Sequence, residues 1–557
     1  MGKYNKTSPA FGIGSYSQVG KNHCINQRIF HPRILNPFSN VCVFLNKLKP
    51  NSMNKRLNSL LLMLSFICLS FLSSCDKDDD VSVETPVVKP GIVFYGITSS
   101  NILIKYNSNA PGILLSSAAV TGLPASEKIL AIDFRPATGQ LYGLGSSSRL
   151  FIINHETAVA TAVGTTPFSP AISGALIGFD FNPTVDRIRL VTSAGLNIRL
   201  NPETGAVAAT DAVINPGGTA VVAVAYTNSM AGAATTTLFD IDMASGKLFK
   251  QDPPNNGTLV EIGSLGISTG NESGFDISPD NAFAIASFNI GANCVLHQID
   301  LVTGKATSLG NLLVPIVGLA IPTNPVAYAV DNSNNLQIFN LNIPGTPVNK
   351  AITGLQAGET ILGIDMRPAT GQLLALGSSS RLYAINMSSG AATSLSLAPF
   401  STLLSGTHFG FDFNPTVDRI RVVSNTGQNL RLNPLTGDIA AVDMPLNPTS
   451  PLVSSAAYTN NIPAAASTVL YTIDFNNQKL YTQNPPNNGT LVEVGNLGMD
   501  MAAENGFDIG GTSNKAYVLV ATGGAGKIYS INLTTGTATQ LTTYPNTVRA
   551  FAVGLGF

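Results

Sequence analysis

One unit of this chain is written twice, and the two copies stay in step. Residues 132–141 read Ile-Asp-Phe-Arg-Pro-Ala-Thr-Gly-Gln-Leu, and residues 364–373 repeat them with Met for Phe. The offset of 232 recurs at 178–183 (Gly-Phe-Asp-Phe-Asn-Pro) against 410–415, and at 253–259 (Pro-Pro-Asn-Asn-Gly-Thr-Leu) against 485–491. A constant offset over such a stretch means two copies of one fold. Each copy holds a shorter period. A small-apolar-polar strand start recurs at Ile132, Phe179, Tyr226, Phe275 and Leu319, then at Ile364, Phe411, Tyr458, Phe507 and Phe551, spaced by 44 to 49 residues. Within a period, segments alternate apolar and polar with period two, as in 188–192 and 196–200, and turns interrupt them. Asn or Asp followed four residues later by Gly marks further turns at 201–205, 242–246, 300–304, 386–390, 433–437 and 532–536.

A period of 40 to 50 residues with about four short strands is the signature of a β-propeller blade. The fold expected is therefore all-β, with ten periods in all. Two tandem five-bladed propellers satisfy the pattern, the first completed by Leu319-Ala320-Ile321. One ten-bladed ring satisfies it too, with Phe551 to Leu555 supplying the missing first strand of the blade begun at Ile92. The short gap at Pro322-Thr323-Asn324-Pro325 resembles an intrablade turn and favours the single ring; the clean duplication favours two domains, which is the arrangement expected. A β-sandwich or β-solenoid array is the outside alternative. The expected units are 91–322 and 323–557.

The amino-terminal ninety residues read differently. Met53-Asn54-Lys55-Arg56, an apolar run from Leu60 to Leu72 and Ser73-Ser74-Cys75 make a secretory signal, too short to span a bilayer. Leu72-Ser73-Ser74-Cys75 resembles a bacterial lipobox, which implies a signal peptide at 53–74 and acylation of Cys75. Anchoring by acyl chains draws about 0.8 kcal/mol from each buried methylene. The run Asp76-Lys77-Asp78-Asp79-Asp80 resembles the export tag of Bacteroidota surface lipoproteins, so 75–90 is expected to be an acidic tether and the protein an outer-membrane lipoprotein displayed at the cell surface. A signal peptide belongs at a chain start, so residues 1–52 are expected to be a non-native upstream extension; the alternative is a genuine basic extension.

Composition narrows the partners. Residues 1–74 hold nine of the 31 Lys and Arg and none of the 32 Asp and Glu. The rest carries 22 basic against 32 acidic side chains, a net of −10. Such a balance argues against nucleic acid. After Cys75 only Cys294 remains, so stability has to come from packing and strand pairing rather than disulfides.

The strings quoted above, with Asn-Leu-Arg-Leu-Asn-Pro at 429–434, resemble the bacterial family catalogued as domain of unknown function 4394, over both copies and most of 91–557. The resemblance implies the repeat unit and an extracytoplasmic location. It brings no catalytic residues.

Three groups recur in both units. The strand-start carboxylates are Asp133, Asp180 and Asp276, with Asp365, Asp412 and Asp508. First strands line a propeller channel, so these could bind Ca²⁺, work as an acid and base on a glycoside, or simply hydrogen-bond a neighbouring turn or blade. Asp186, Arg187, Arg189 and Arg199, with Asp418, Arg419, Arg421 and Arg431, concentrate charge in a charge-poor chain. They suit an anion clamp or an interblade Arg–Asp ladder. The loop 253–257 and its copy 485–489, with Glu272 and Glu504 downstream, reads as a rigid turn or a ligand-contacting loop. His155, His297 and His408 lack a matching His in the other unit, no His/Cys cluster has metal spacing, and no phosphate loop or nucleophile elbow is present. With no Trp, the carbohydrate platform would have to come from Tyr142, Tyr226, Tyr383 and Tyr458. The function expected is a membrane-anchored binding or interaction module for a glycan or protein. A glycan-active hydrolase using channel carboxylates and a structural component of an envelope complex are the alternatives.

Overall fold

The computed structural model describes residues 91–557 apart from 217–218, 269–272, 449–450 and 523. The signal segment, Cys75, the tether and Glu272 lie outside the described residues. Among the described residues the structure is strand, save for two 3-10 turns at Pro254–Asn256 and Pro486–Asn488.

The strands form ten four-stranded antiparallel sheets, one for each period in the sequence. In the first unit the innermost strands are Gly318–Ala320, Ile129–Phe134, Ile177–Asn182, Val221–Tyr226 and Ser273–Ile277. In the second they are Val548–Val553, Ile361–Arg367, Phe409–Asn414, Val453–Tyr458 and Asn505–Ile509. Blades are numbered here in that order, 1 to 5 and 6 to 10.

Each unit closes on itself. Gly318–Ala320 pairs with Val93–Ile97, aligning Tyr95 with Ala320 and Ile97 with Gly318. Val548–Val553 pairs with Val326–Asp331, aligning Ala327 with Val553 and Ala329 with Phe551. Two five-bladed propellers result. The single ten-bladed ring is excluded, because the last strand closes on the blade begun at Val326 and not on the one begun at Val93. The gap at 322–325 links the closing strand of the first ring, Gly318–Ala320, to Val326–Asp331 of the second. Local sequence does not reveal that those strands belong to different rings. Closure of this kind pairs the inner edges that an open array would expose.

The core lies between the facing sides of adjacent blades. Tyr142, Leu144 and Leu150 of blade 2 meet Phe179, Phe181 and Leu190 of blade 3. Ile473 and Leu480 of blade 9 meet Phe507 and Val518 of blade 10. Each such side chain contributes roughly 1.5–3 kcal/mol by leaving water. The small residue of each strand start has a steric reason. A Cβ on Gly506 would lie 2.3 Å from the Cβ of Phe551 in the next inner strand, and one on Gly178 would lie 2.7 Å from Val224. Inner strands converge on the axis, and at these two positions only glycine admits that approach.

Residues at the carboxyl ends of inner strands also join the propellers. The Tyr328 hydroxyl donates to the Ala137 carbonyl at 2.9 Å, the Gly556 N–H to Thr138 at 2.9 Å, and Arg135 Nη1 to Gly371 at 3.2 Å.

Candidate functional site

The strand-start aspartates come together as two triads. The ligand oxygens of Asp133, Asp180 and Asp276 lie within 4.8 Å of one another, as do those of Asp365, Asp412 and Asp508. Asp133, Asp180 and Asp276 are 6, 1 and 3% exposed. Each carboxylate also bridges to the following blade. Asp133 accepts from its neighbour Phe134 N–H and from Phe181 N–H of blade 3, both at 2.7 Å. Asp180 accepts from Tyr226 N–H of blade 4 at 3.1 Å. Asp276 accepts from Ile277 and Ile321 N–H, both at 2.6 Å. The second propeller repeats this with Asp365 on Met366 and Phe413, Asp412 on Tyr458, and Asp508 on Ile509 and Val553.

Burial raises every one of these carboxyls. Asp276 and Asp508 are pushed up to about 7 against the pull of their backbone donors. Asp133 and Asp180 are raised well above the ordinary range, first by burial and then by the neighbouring carboxylates, as are Asp365 and Asp412. Like charges this close cannot all ionise, so each triad shares protons near neutral pH. The oxygens span a distance that suits a cation, but three carboxylates fall short of the six to eight oxygens Ca²⁺ takes. A hydrolytic pair is a poor fit as well. Retaining glycosidases hold their carboxyls about 5–5.5 Å apart, and inverting ones further, with substrate between them.

The arginine group is a ladder. Arg189 is 1% exposed. Its Nη1 donates to Asp211 at 2.6 Å and Asn197 at 2.7 Å, its Nη2 to Asn255 at 2.7 Å, and its Nε to the Tyr226 hydroxyl at 3.3 Å. Arg199 grips Asp211 with two donors. Arg421 and Arg431 repeat the set on Asp443, Asn429, Asn487 and Tyr458. Blades 3 and 4 are thereby tied together, as are blades 8 and 9. Anion clamping by Arg187 with Arg189 is corrected here. Arg189 is buried on four internal partners, and Arg187 and Arg419 each donate to the carbonyl of the preceding aspartate. Asp186 and Asp418 pair instead with Arg135 and Arg367 of the preceding blade. Asp211 and Asp443, the anions that hold the ladder, passed unremarked in the sequence because they sit in connecting segments outside the repeated strand motifs.

The 253–257 loop is a turn with an internal task, since Asn255 and Asn487 complete the ladder. The tyrosine platform is also corrected. Tyr142, Tyr226, Tyr383 and Tyr458 are all buried, their rings packed between blades, so no sugar can stack on them.

Two cavities open at the amino ends of the inner strands, one in each propeller. That of the first has about 160 Å³ and is lined by Leu130, Leu176, Ile177, Val222, Val317 and Lys128 among others. That of the second has about 80 Å³, with His408, Phe409, Ser454, Glu504, Asn505 and Arg549 on its wall. Sequence reading set His408 aside because it has no counterpart. That lack of a counterpart was the usable signal.

Fold and site together define a tandem β-propeller protein whose channel carboxylates and arginines are engaged in structure and whose axial mouths are open. Both copies match the model of a family described as a domain of unknown function, DUF4394, over residues 102–320 and 335–553. The chain belongs to that family. No curated protein matches it. Among solved structures it is similar to the Dos1 propeller, at 12% identity over 60% of this chain and 90% of that one, TM-score 0.24. It is also similar to the dihydro-heme d1 dehydrogenase NirN in complex with DHE, at 9% identity over 82% of this chain and 74% of that one, TM-score 0.22.

Proposed function

We propose that this protein is a binding module held at a membrane surface, anchored through acylated Cys75, spaced by the acidic tether and displaying its propellers outside the cell. The observation that carries the binding reading is the pair of open mouths. They lie at the opposite ends of the inner strands from the residues that join the propellers, so the joint leaves both accessible. The channel groups that catalysis would need are occupied with blade-to-blade hydrogen bonds and with each other. The anchoring half rests on the lipobox-like tetrapeptide and the basic and apolar segments before it.

One experiment on the full chain tests both halves. Expressed in a lipoprotein-processing bacterium, the parent protein should fractionate with membranes and be clipped by protease added to whole cells. Cys75→Ala should appear in the soluble fraction. The solubilised protein should retain members of a glycan, peptide and small-metabolite panel without turning them over. A Cys75→Ala protein that stays membrane-bound would overturn the anchor, and product release would overturn the binding reading.

A further inference from the structure

The two mouths occupy equivalent positions in a duplicated fold and differ at four lining positions. At the offset of 232, Ala175 becomes Thr407, Leu176 becomes His408, Val222 becomes Ser454 and Val317 becomes Arg549. Leu130 stays Leu at 362.

Two atoms on the wall of the second mouth lack the partners that buried polar groups normally have. Asn505 is 4% exposed. Its Nδ2 is fully used, on Ser454 Oγ at 2.7 Å and on the Ala502 and Ala503 carbonyls, while its Oδ1 accepts nothing. The guanidinium of Arg549 donates through Nη2 to the Asp331 carbonyl at 2.9 Å and to Asn334 Oδ1 at 2.8 Å, while its buried Nε donates to nothing. Glu504 stands exposed on the same wall and acts on Arg549 electrostatically. Behind the wall of the mouth thus lie an unused donor on a cation and an unused acceptor, both buried, beside an exposed anion. Leaving such a donor or acceptor unmade destabilises the fold, and a ligand that satisfies them recovers that loss.

We propose that the mouth of the second propeller binds a small zwitterion, in the simplest case a free α-amino acid. Its carboxylate lies on Arg549, and its ammonium group on Asn505 Oδ1 and the Glu504 carboxylate. The first mouth, with Val317 where the second has Arg549, does not share this specificity. The inference rests on the binding-module reading and names the ligand class of one of its two sites.

The test is calorimetric titration of the solubilised full chain with the common L-amino acids, and with their N-acetyl and carboxamide derivatives. At least one free amino acid should bind, with both blocked derivatives at least tenfold weaker. Arg549→Val and Ser454→Val, each installing the residue found at the equivalent first-propeller position, should weaken binding tenfold or more while the melt stays cooperative. Exposed Glu504→Gln should weaken it without touching the core, and keeps the test open if Arg549→Val misfolds. Equal binding of blocked derivatives, or binding indifferent to Glu504→Gln and Ser454→Val, would overturn the zwitterion site. So would heat only at the level of buffer, meaning that water alone satisfies the wall. Retention of some other ligand on the panel, with amino acids silent, would sink this inference and leave the binding module standing.

Discussion

At the scale of single residues, the chemistry turns on which buried charges have partners. Asp240 is fully buried in blade 4, neither carboxyl oxygen has a hydrogen-bond partner, and burial raises it well above the ordinary range against the pull of Arg189. Its counterpart at the same offset is Thr472. A carboxyl raised in the folded state binds a proton there that the unfolded chain has lost. Its stabilising contribution is therefore full below about pH 4 and disappears as pH rises through the folded value. Asp240→Thr should stabilise the first propeller, more at pH 8 than at pH 5, in paired thermal melts. The triads obey the same sign. With Asp276 and Asp508 at about 7 and the other four carboxyls raised as well, stability should fall as pH rises from about 4 through about 7. Because the donor set falls short for Ca²⁺, adding Ca²⁺ or EDTA at pH 8 should leave the melting temperature in place. A clear rise with Ca²⁺ would show that the carboxylates hold metal.

At the scale of elements, the ladder and the turn that feeds it work as one unit. Gly257 sits at φ 66°, where a Cβ would come within 2.3 Å of the Val213 carbonyl oxygen, so the loop carrying Asn255 closes only on glycine. Arg189→Met should destabilise the first propeller, because Asp211, Asn197, Asn255 and Tyr226 each lose a donor while Asp211 keeps only Arg199. Hydrogen exchange should then quicken across the strands Arg187–Thr192 and Val221–Tyr226 and leave blades 8 and 9 at the parental rate. Uniform acceleration through both propellers would show that the ladder is not a local clasp. The turn was legible in the Pro-Pro-Asn-Asn-Gly string, because turn chemistry is local. Its partner was not, since Arg189 lies 66 residues from Asn255.

At the scale of the whole molecule, closure depends on two short terminal strands of unequal consequence. Gly318–Ala320 closes the first ring from inside the chain, while Val548–Val553 closes the second from its end. Deleting residues 548–557 should open the second propeller to protease and leave the first resistant, as mass spectrometry of a timed digest would report. Simultaneous loss of both would mean that the joint at Ala137, Thr138 and Gly371 carries the first ring's stability.

The sequence by itself determined the all-β class, ten blades, their duplication, the strand-start aspartates and the Asn-Gly turns. Each is expressed in residues a few positions apart or in a fixed period, where alternation, turn geometry and close approach act directly on the chain. Only the tertiary structure decided which strand closes which ring, that the aspartates meet three at a time, that Arg135 and not Arg187 takes Asp186, and that His408, Asn505 and Arg549 share one cavity. Those outcomes bring together positions from about fifty to more than two hundred residues apart. Burial and hydrogen-bond geometry choose among partners that a linear pattern leaves equal.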